Sequence, residues 1–401
     1  MTPSSPILPY GRQVIDDDDI AAVTAVLRSD SLTTGPVVAQ FEQALATATG
    51  ATDAIVCSSG TAALHLAVLG IGLAPGDQVI VPTLTFLATA NCARYVDAEV
   101  IFADVDADTG LLTAAGFEQA LGRADPARLK AVLPVHLNGQ ACDMREIKAI
   151  ADKRGVAVIE DACHALGGTY PGNAPVRIGS GAYGAAACFS FHPVKTVAMG
   201  EGGAVTTNDA TVAATMRRLR SHGMERAPDK LTQSEFAVAA DGRTNPWYYE
   251  MPEPGWNYRA SDIHCALGLS QMHKLPRFVE RRAALVARYD AALKPLAPVV
   301  RPVARTGGSP AWHLYVVLID FEALGRDRAS VMRALMSAGV GTQVHYLPVH
   351  LQPYFQRRYG RQHLPGAERY YARCLSLPLF PAMSDADVDR VVAALSAIVS
   401  G

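Results

Sequence analysis

Short apolar runs alternate along this chain with stretches whose apolar positions recur every three to four residues. The runs AIVCS (54–58), QVIVP (78–82), EVIFAD (99–104), LKAVLPV (129–135), VAVIED (156–161) and AACFSF (186–191) have the length of strands. Nearly continuous hydrophobicity within each run predicts strands buried on both faces of a sheet. Between them, segments such as CDMREIKAIADKRG (142–155) carry the helical period, so the first half reads as an alternating α/β unit. Ahead of it, DDDDIAAVTAVLRSD (16–30) predicts a helix with Ile20, Val23, Thr24 and Leu27 on its apolar face. The acidic run Asp16 to Asp19 would form a solvated first turn at the positive end of that helix dipole.

The alternation fades near residue 210. Residues 224–256 are polar, rich in Pro and Gly and weakly periodic, which predicts a long loop with a role, because structureless loops of this length are uncommon without one. A long helical pattern follows at 260–293, with Pro276 expected to break or kink it. A smaller α+β unit then reads as a strand (312–320), a helix (328–339), an extended segment (340–349) and a final helix (385–399). The expected division is a large domain at 1–260, with the connecting helix and a small domain at 261–401. There is no internal repeat and no low-complexity tract.

Composition narrows the partners. The 401 residues are 49% hydrophobic, enough for a sizeable core, and 36 basic against 38 acidic residues leave a formal net charge of -2. Nothing in that balance calls for nucleic acid or a membrane surface, so small-molecule partners are expected. No segment has the length of a spanning helix, and MTPSSPILPYGRQ has no leader pattern. Seven cysteines with no CxxC pair suggest reduced, packed thiols and a cytoplasmic protein.

Three segments carry candidate chemistry. In CSSGTAALHLAV (57–68) an apolar run meets Ser-Ser-Gly-Thr at the start of a helix with Leu64, Ala67, Val68 and Ile71 on one face. Exposed amides there, with Gly60 permitting close approach, would hold a phosphate dianion, although Ser and Thr at such a place are also ordinary helix caps. VAVIEDACHALGG (156–168) ends a strand in Glu160 and Asp161, where α/β sheets bind ligands, and is followed by Cys163 and His164. Asp161 also fits a cap or ion pair, and His164 fits either ring stacking or core packing. In AACFSFHPVKTVAMGEGGAVTTND (186–209) Lys195 stands in nearly uncharged surroundings. A desolvated lysine of that kind forms Schiff bases, whereas a solvated one is only surface. Pyridoxal 5′-phosphate (PLP) needs all three features together: a phosphate cup, an acid at the pyridine nitrogen and an amine at the aldehyde.

These segments resemble the DegT/StrS family of sugar-nucleotide aminotransferases over nearly the whole chain. The resemblance implies the PLP-dependent transferase fold type I: a large α/β domain with a mixed, mostly parallel sheet flanked by helices, plus a smaller C-terminal α+β domain. It also implies PLP as cofactor, a nucleotide-sugar substrate and an amino donor, L-glutamate. By matching motif positions, Lys195 would be the Schiff-base lysine and acid/base, Asp161 the partner of the pyridinium proton, and His164 a neighbour of the ring. Gly60, Thr61 and Ser190 would hold the phosphate and Phe86 would stack on the ring, while Asn257 would reach the phosphate of a neighbouring subunit in a homodimer with shared sites. Gln140, His313, Tyr315, His345 and Tyr346 are candidate sugar or nucleotide contacts.

Within the family, PWYYEM (246–251) and HYLPVHLQPYF (345–355) resemble the branch that aminates UDP-2-acetamido-2,6-dideoxy-β-L-arabino-hex-4-ulose in the pseudaminic acid pathway. Amination of another nucleotide-linked keto sugar is the nearest alternative, and a non-catalytic PLP-binding regulator is the alternative of another class. Relatives that dehydrate their sugar carry histidine where this chain has Lys195. His345 with His350, and the pairs Cys163/His164 and His264/Cys265, lack a zinc-site spacing, so no metal is expected.

Overall fold

The computed structural model describes residues 7–172 and 174–400. The first six residues of the segment read as leaderless lie outside the described residues. Among those described, strands β1 (Asp53–Cys57), β2 (Gln78–Pro82), β3 (Glu99–Ala103), β4 (Leu129–Val132), β5 (Ala157–Asp161), β6 (Ala186–Ser190) and β7 (Gly203–Thr207) form one sheet in the order β1-β7-β6-β5-β4-β2-β3. Every pairing is parallel except the two made by β7, which runs antiparallel to both β1 and β6. Six of these strands are the six apolar runs of the sequence, and helices pack on the sheet as the expected large α/β unit requires. A second sheet, ordered β10-β9-β8, joins β8 (Val300–Pro302), β9 (Tyr315–Ile319) and β10 (Cys374–Leu377) antiparallel.

The molecule has two apolar cores, and they do not divide at residue 260. Val349, Phe355, Leu364, Ala367 and Tyr370, far beyond that point, pack into the core of the large sheet. The second core gathers Leu285, Tyr289, Val317, Leu335, Leu375, Val391 and Leu395 around the small sheet. The helix Asp262–Ala292 belongs to both, burying Cys265, Met272 and Leu275 in the first and Leu285, Val286 and Tyr289 in the second. That anchoring at both ends explains why it runs through Pro276 without the expected break, although an interior proline costs about 3 kcal/mol.

Two further expectations are corrected, both in the first helix. In the helix Asp17–Leu27 the buried residues are Asp19 and Val26, while Ile20 and Leu27 are more than half exposed. Asp19 is not solvated: it is fully buried, accepting from Ser270 Oγ (2.6 Å) and Gln271 Nε2 (2.7 Å) and pairing with Lys274 at 2.8 Å. A polar lock, rather than an apolar stripe, fastens this helix to Asp262–Ala292. The segment expected to be extended carries the isolated bridges of Val340 with Leu8 and of Gln343 with Ser376, and Val349 opens the short turn Val349–Leu351. Finally, the loop at 224–256 is ordered around a carboxylate: Glu250 accepts from the Thr232 and Gln233 amides (2.8 and 2.7 Å) and from the hydroxyls of Thr232 (2.8 Å) and Tyr248 (3.2 Å).

Candidate active site

The first wall is built where β1 feeds the helix Gly60–Gly70. Ser59 is extended and its Oγ accepts from the Ala62 amide at 3.1 Å, capping the helix and leaving the amides of Gly60 and Thr61 at its opening turn. A Cβ on Gly60 would lie 2.8 Å from Ser190 Cβ, so only glycine lets this turn approach the end of β6. Backbone amides at a helix start, the hydroxyl of Thr61 and that of Ser190 thereby converge on one concave surface suited to a phosphate dianion.

The second wall is the carboxyl end of β5. Asp161, 5% exposed, accepts from Thr89 Oγ at 2.6 Å through Oδ2 and from the Cys163 amide at 3.1 Å through Oδ1. Thr89 Oγ also lies 2.7 Å from Thr85 Oγ. Since Thr89 has one hydroxyl proton and gives it to the carboxylate, Thr85 donates to Thr89. This chain holds the carboxylate in one orientation.

Lys195 sits on the turn after β6, its amide donating to the His192 carbonyl at 2.8 Å. Among the described residues its Nζ makes no hydrogen bond, and burial lowers its pKa below the ordinary lysine value, opposed only by Cys163 and Asp161. Three imidazoles surround it. Burial first, and then the lysine charge, hold His164 and His313 well below the usual histidine range and bring His345 down to about 3. Tyr346 Oη lies within hydrogen-bond distance of His164 Nε2, at 3.2 Å. At the rim Phe86 is 56% exposed, its ring 6.0 Å from that of Tyr346. The cavity measures about 600 Å³. Its phosphate cup, buried carboxylate and desolvated amine are the set PLP requires, and the residues present fit that cofactor.

The model of the DegT/DnrJ/EryC1/StrS aminotransferase family matches residues 13–396. The chain belongs to this family. It is 40% identical over 397 residues to the spore coat polysaccharide biosynthesis protein SpsC of Bacillus subtilis, with 98% of this chain and 97% of SpsC covered. Among solved structures it is similar to Helicobacter pylori PseC, an aminotransferase involved in the biosynthesis of pseudoaminic acid (28% identity, TM-score 0.87, 98% and 99% of the two chains). It is also similar to Streptococcus pneumoniae Spr1654 in its PLP form (26% identity, TM-score 0.85, 98% and 99%). The chain is therefore a PLP-dependent sugar aminotransferase with the fold type I architecture.

In this DegT-family enzyme the structure brings Gly60, Thr61, Phe86, Asp161, His164, Ser190, Lys195, His313, His345 and Tyr346 to one cavity. Three candidates stand elsewhere. Gln140 is fully buried against the chain, its amide donating to the Ala304 carbonyl (3.1 Å) and accepting from the Thr306 amide (3.0 Å). Tyr315 belongs to the small core, stacked on Tyr289 at 4.4 Å with its hydroxyl donating to Asp290 at 2.7 Å. Both are satisfied packing residues rather than ligand contacts. Asn257 is exposed and outside the cavity of its own chain, in a bridge with Ser221. Thr85 and Thr89 were missed, as was Tyr10, whose ring lies 5.5 Å from His345 and lines the cavity. The spacing of Thr85 and Thr89, one helical turn apart beside the expected stacking residue Phe86, was the available signal.

Proposed function

We propose that this enzyme places an amino group on carbon 4 of a UDP-linked 4-keto-6-deoxy sugar, UDP-2-acetamido-2,6-dideoxy-β-L-arabino-hex-4-ulose, with L-glutamate as donor. The observation that carries the reading is the convergence of Lys195, Asp161 and the Gly60–Thr61 turn in one cavity. PLP bound there supplies the electron sink that makes a proton on the donor's α-carbon labile. Lys195 Nζ, with its lowered pKa, takes that proton and later delivers one at the sugar carbon. Asp161, fixed by Thr89 and the Cys163 amide, holds a proton on the ring nitrogen as a charge pair. The amides of Gly60 and Thr61 with Ser190 bind the phosphate, and Phe86 covers one face of the ring. Similarity to PseC and the segments PWYYEM and HYLPVHLQPYF support the choice of sugar.

The higher identity to SpsC supports a second reading, amination of another nucleotide-linked keto sugar for a surface polysaccharide. Both readings place the enzyme in the cytoplasm as a homodimer with shared sites. Asn257 supports the dimer by lying exposed and away from its own cavity, as do the exposed side chains of Phe86, Tyr95 and Trp247. The purified enzyme, L-glutamate and a panel of UDP- and dTDP-linked 4-keto sugars decide between them, with products identified by mass and NMR. The first reading expects the best turnover with the UDP-linked acetamido sugar. Preference for a dTDP-linked sugar, or for one without the acetamido group, would overturn it.

A further inference from the structure

The segment Ala311–Leu314 lies over the cavity floor because a tight turn receives it. Asn138 accepts through its carbonyl from the amides of His313 (3.0 Å) and Leu314 (3.4 Å). The neighbouring Gly139 has φ +97°, and a Cβ there would sit 2.0 Å from the Ala311 carbonyl oxygen, so no other residue lets the segment this close. Arg282 clamps it from behind. This guanidinium is 1% exposed, donates from Nη1 to the carbonyls of Trp312 (3.4 Å), His313 (3.1 Å) and Leu379 (2.9 Å), and has no carboxylate partner among the described residues. A buried cation neutralised only by carbonyl dipoles leaves positive potential in its surroundings.

His313 is what this frame presents to the cavity. It is 4% exposed, its ring centroid is 4.4 Å from that of His164, and its Nδ1 has no partner. The ring makes no hydrogen bond among the described residues, so in either tautomer one N–H lacks an acceptor. The other two imidazoles beside Lys195 are engaged: His164 Nε2 with Tyr346 and His345 Nδ1 with Ser376 at 2.7 Å. Lys195 is the one lysine or arginine lining the cavity, and Asp161 is already held by Thr89 and Cys163. Whichever ring nitrogen carries the proton, an N–H without a protein acceptor beside two cations suits an anionic oxygen. The phosphate has its own cup at Gly60, Thr61 and Ser190. The remaining anion that must come close to Lys195 is the donor's α-carboxylate, carried on the same carbon as the amine that reacts.

We propose that His313, positioned by Arg282, forms the subsite for the α-carboxylate of the amino acid donor. The inference rests on the amino-transfer reading and extends it to a residue. Burial, together with the charges of Lys195, His164 and Arg282, keeps the ring of His313 neutral, so it acts as a hydrogen-bond donor and not as a fixed cation. The same contact admits an amino acid and disfavours a simple amine.

The test uses the PLP-loaded enzyme and the variants His313→Gln, His313→Phe and Arg282→Lys. Conversion of the cofactor by L-glutamate is followed by absorbance without any sugar, and maleate serves as an unreactive dicarboxylate probe in calorimetric titration. His313→Phe should raise the glutamate concentration for half-maximal rate by roughly tenfold or more, with a matching loss of maleate affinity, the size of one charge-assisted hydrogen bond. His313→Gln, which keeps a donor, should recover part of both. Arg282→Lys should weaken maleate while the KM for the keto sugar stays within about twofold of wild type. Unchanged maleate affinity in His313→Phe, or a KM effect on the sugar in place of the donor, would overturn the proposal. Should His313→Phe fail to fold, the His313 ring-nitrogen resonances of wild type must shift on adding maleate, and no shift rejects it. Because the glutamate half-reaction and the maleate titration contain no sugar, failure of every keto sugar in the panel would count against the substrate assignment alone.

Discussion

Thr89 donates to Asp161 at 2.6 Å and receives from Thr85 at 2.7 Å, so the Asp161 carboxylate is aimed by a hydroxyl relay. Replacing Thr89 by Val keeps the volume and removes the donor. The expected result is a fall in kcat/KM of about tenfold, since a hydrogen bond to a charged group contributes roughly 1.5–3 kcal/mol, while bound cofactor is retained. Wild-type kinetics in Thr89→Val would show that Asp161 needs no such support. Lys195→Ala should fold normally yet never become fixed to the cofactor by borohydride, and should not turn over. Covalent fixation at another residue would refute the assignment. That Lys195 and Asp161 would share one cavity was legible, because the expected chemistry asks for those residue types at a strand end and after one. Thr89 was not, because its partner lies 72 positions away. Gln140 and Tyr315 lie outside the cavity for the converse reason: a buried polar group satisfied by partners in the chain has the same letter as one that waits for a ligand.

At the scale of elements, the six apolar runs became six strands because burial on both faces leaves a short, nearly continuous apolar run that a sequence shows directly. The first helix was legible in extent but not in orientation. It buries Val26 and also Asp19, which is locked to Ser270, Gln271 and Lys274, and a pattern of apolar letters cannot reveal a polar docking face. Asp19→Ala would leave the Lys274 ammonium, whose side chain is 10% exposed, next to an emptied site. A loss of about 3 kcal/mol is expected, seen as a lower denaturant midpoint at unchanged slope. A midpoint equal to wild type would mean that Asp16, which also pairs with Lys274, suffices alone. Similarly, the loop at 224–256 was recognised by its composition, whereas its organiser, Glu250, takes donors 17 and 18 residues earlier that no local signal marks.

At the scale of the whole molecule, the cavity belongs to both halves of the chain. Asp161 and Lys195 come from the large sheet and His313, His345 and Tyr346 from the later segments, with Asp262–Ala292 fastening the two cores together. The proposed homodimer would bring the exposed Asn257 to the site of a second copy. If so, mixing Lys195→Ala with Asn257→Ala chains should restore activity above the sum of the parents, because some mixed dimers hold one site with both residues intact. Native mass spectrometry must show the mixed species. Mixed dimers without recovered activity would mean that Asn257 serves its own subunit or no site at all.

Amino transfer to the sugar is the centre of this account, and one measurement reaches it most directly. Wild-type enzyme is incubated with L-glutamate carrying an isotopically labelled amino nitrogen and with the UDP-linked acetamido 4-keto sugar, and the sugar product is examined by NMR and mass spectrometry. The account predicts the label on carbon 4 of the sugar, with an equal amount of 2-oxoglutarate formed, and no label transferred by Lys195→Ala. A sugar product without the label, or labelled product from Lys195→Ala at the wild-type rate, would contradict it.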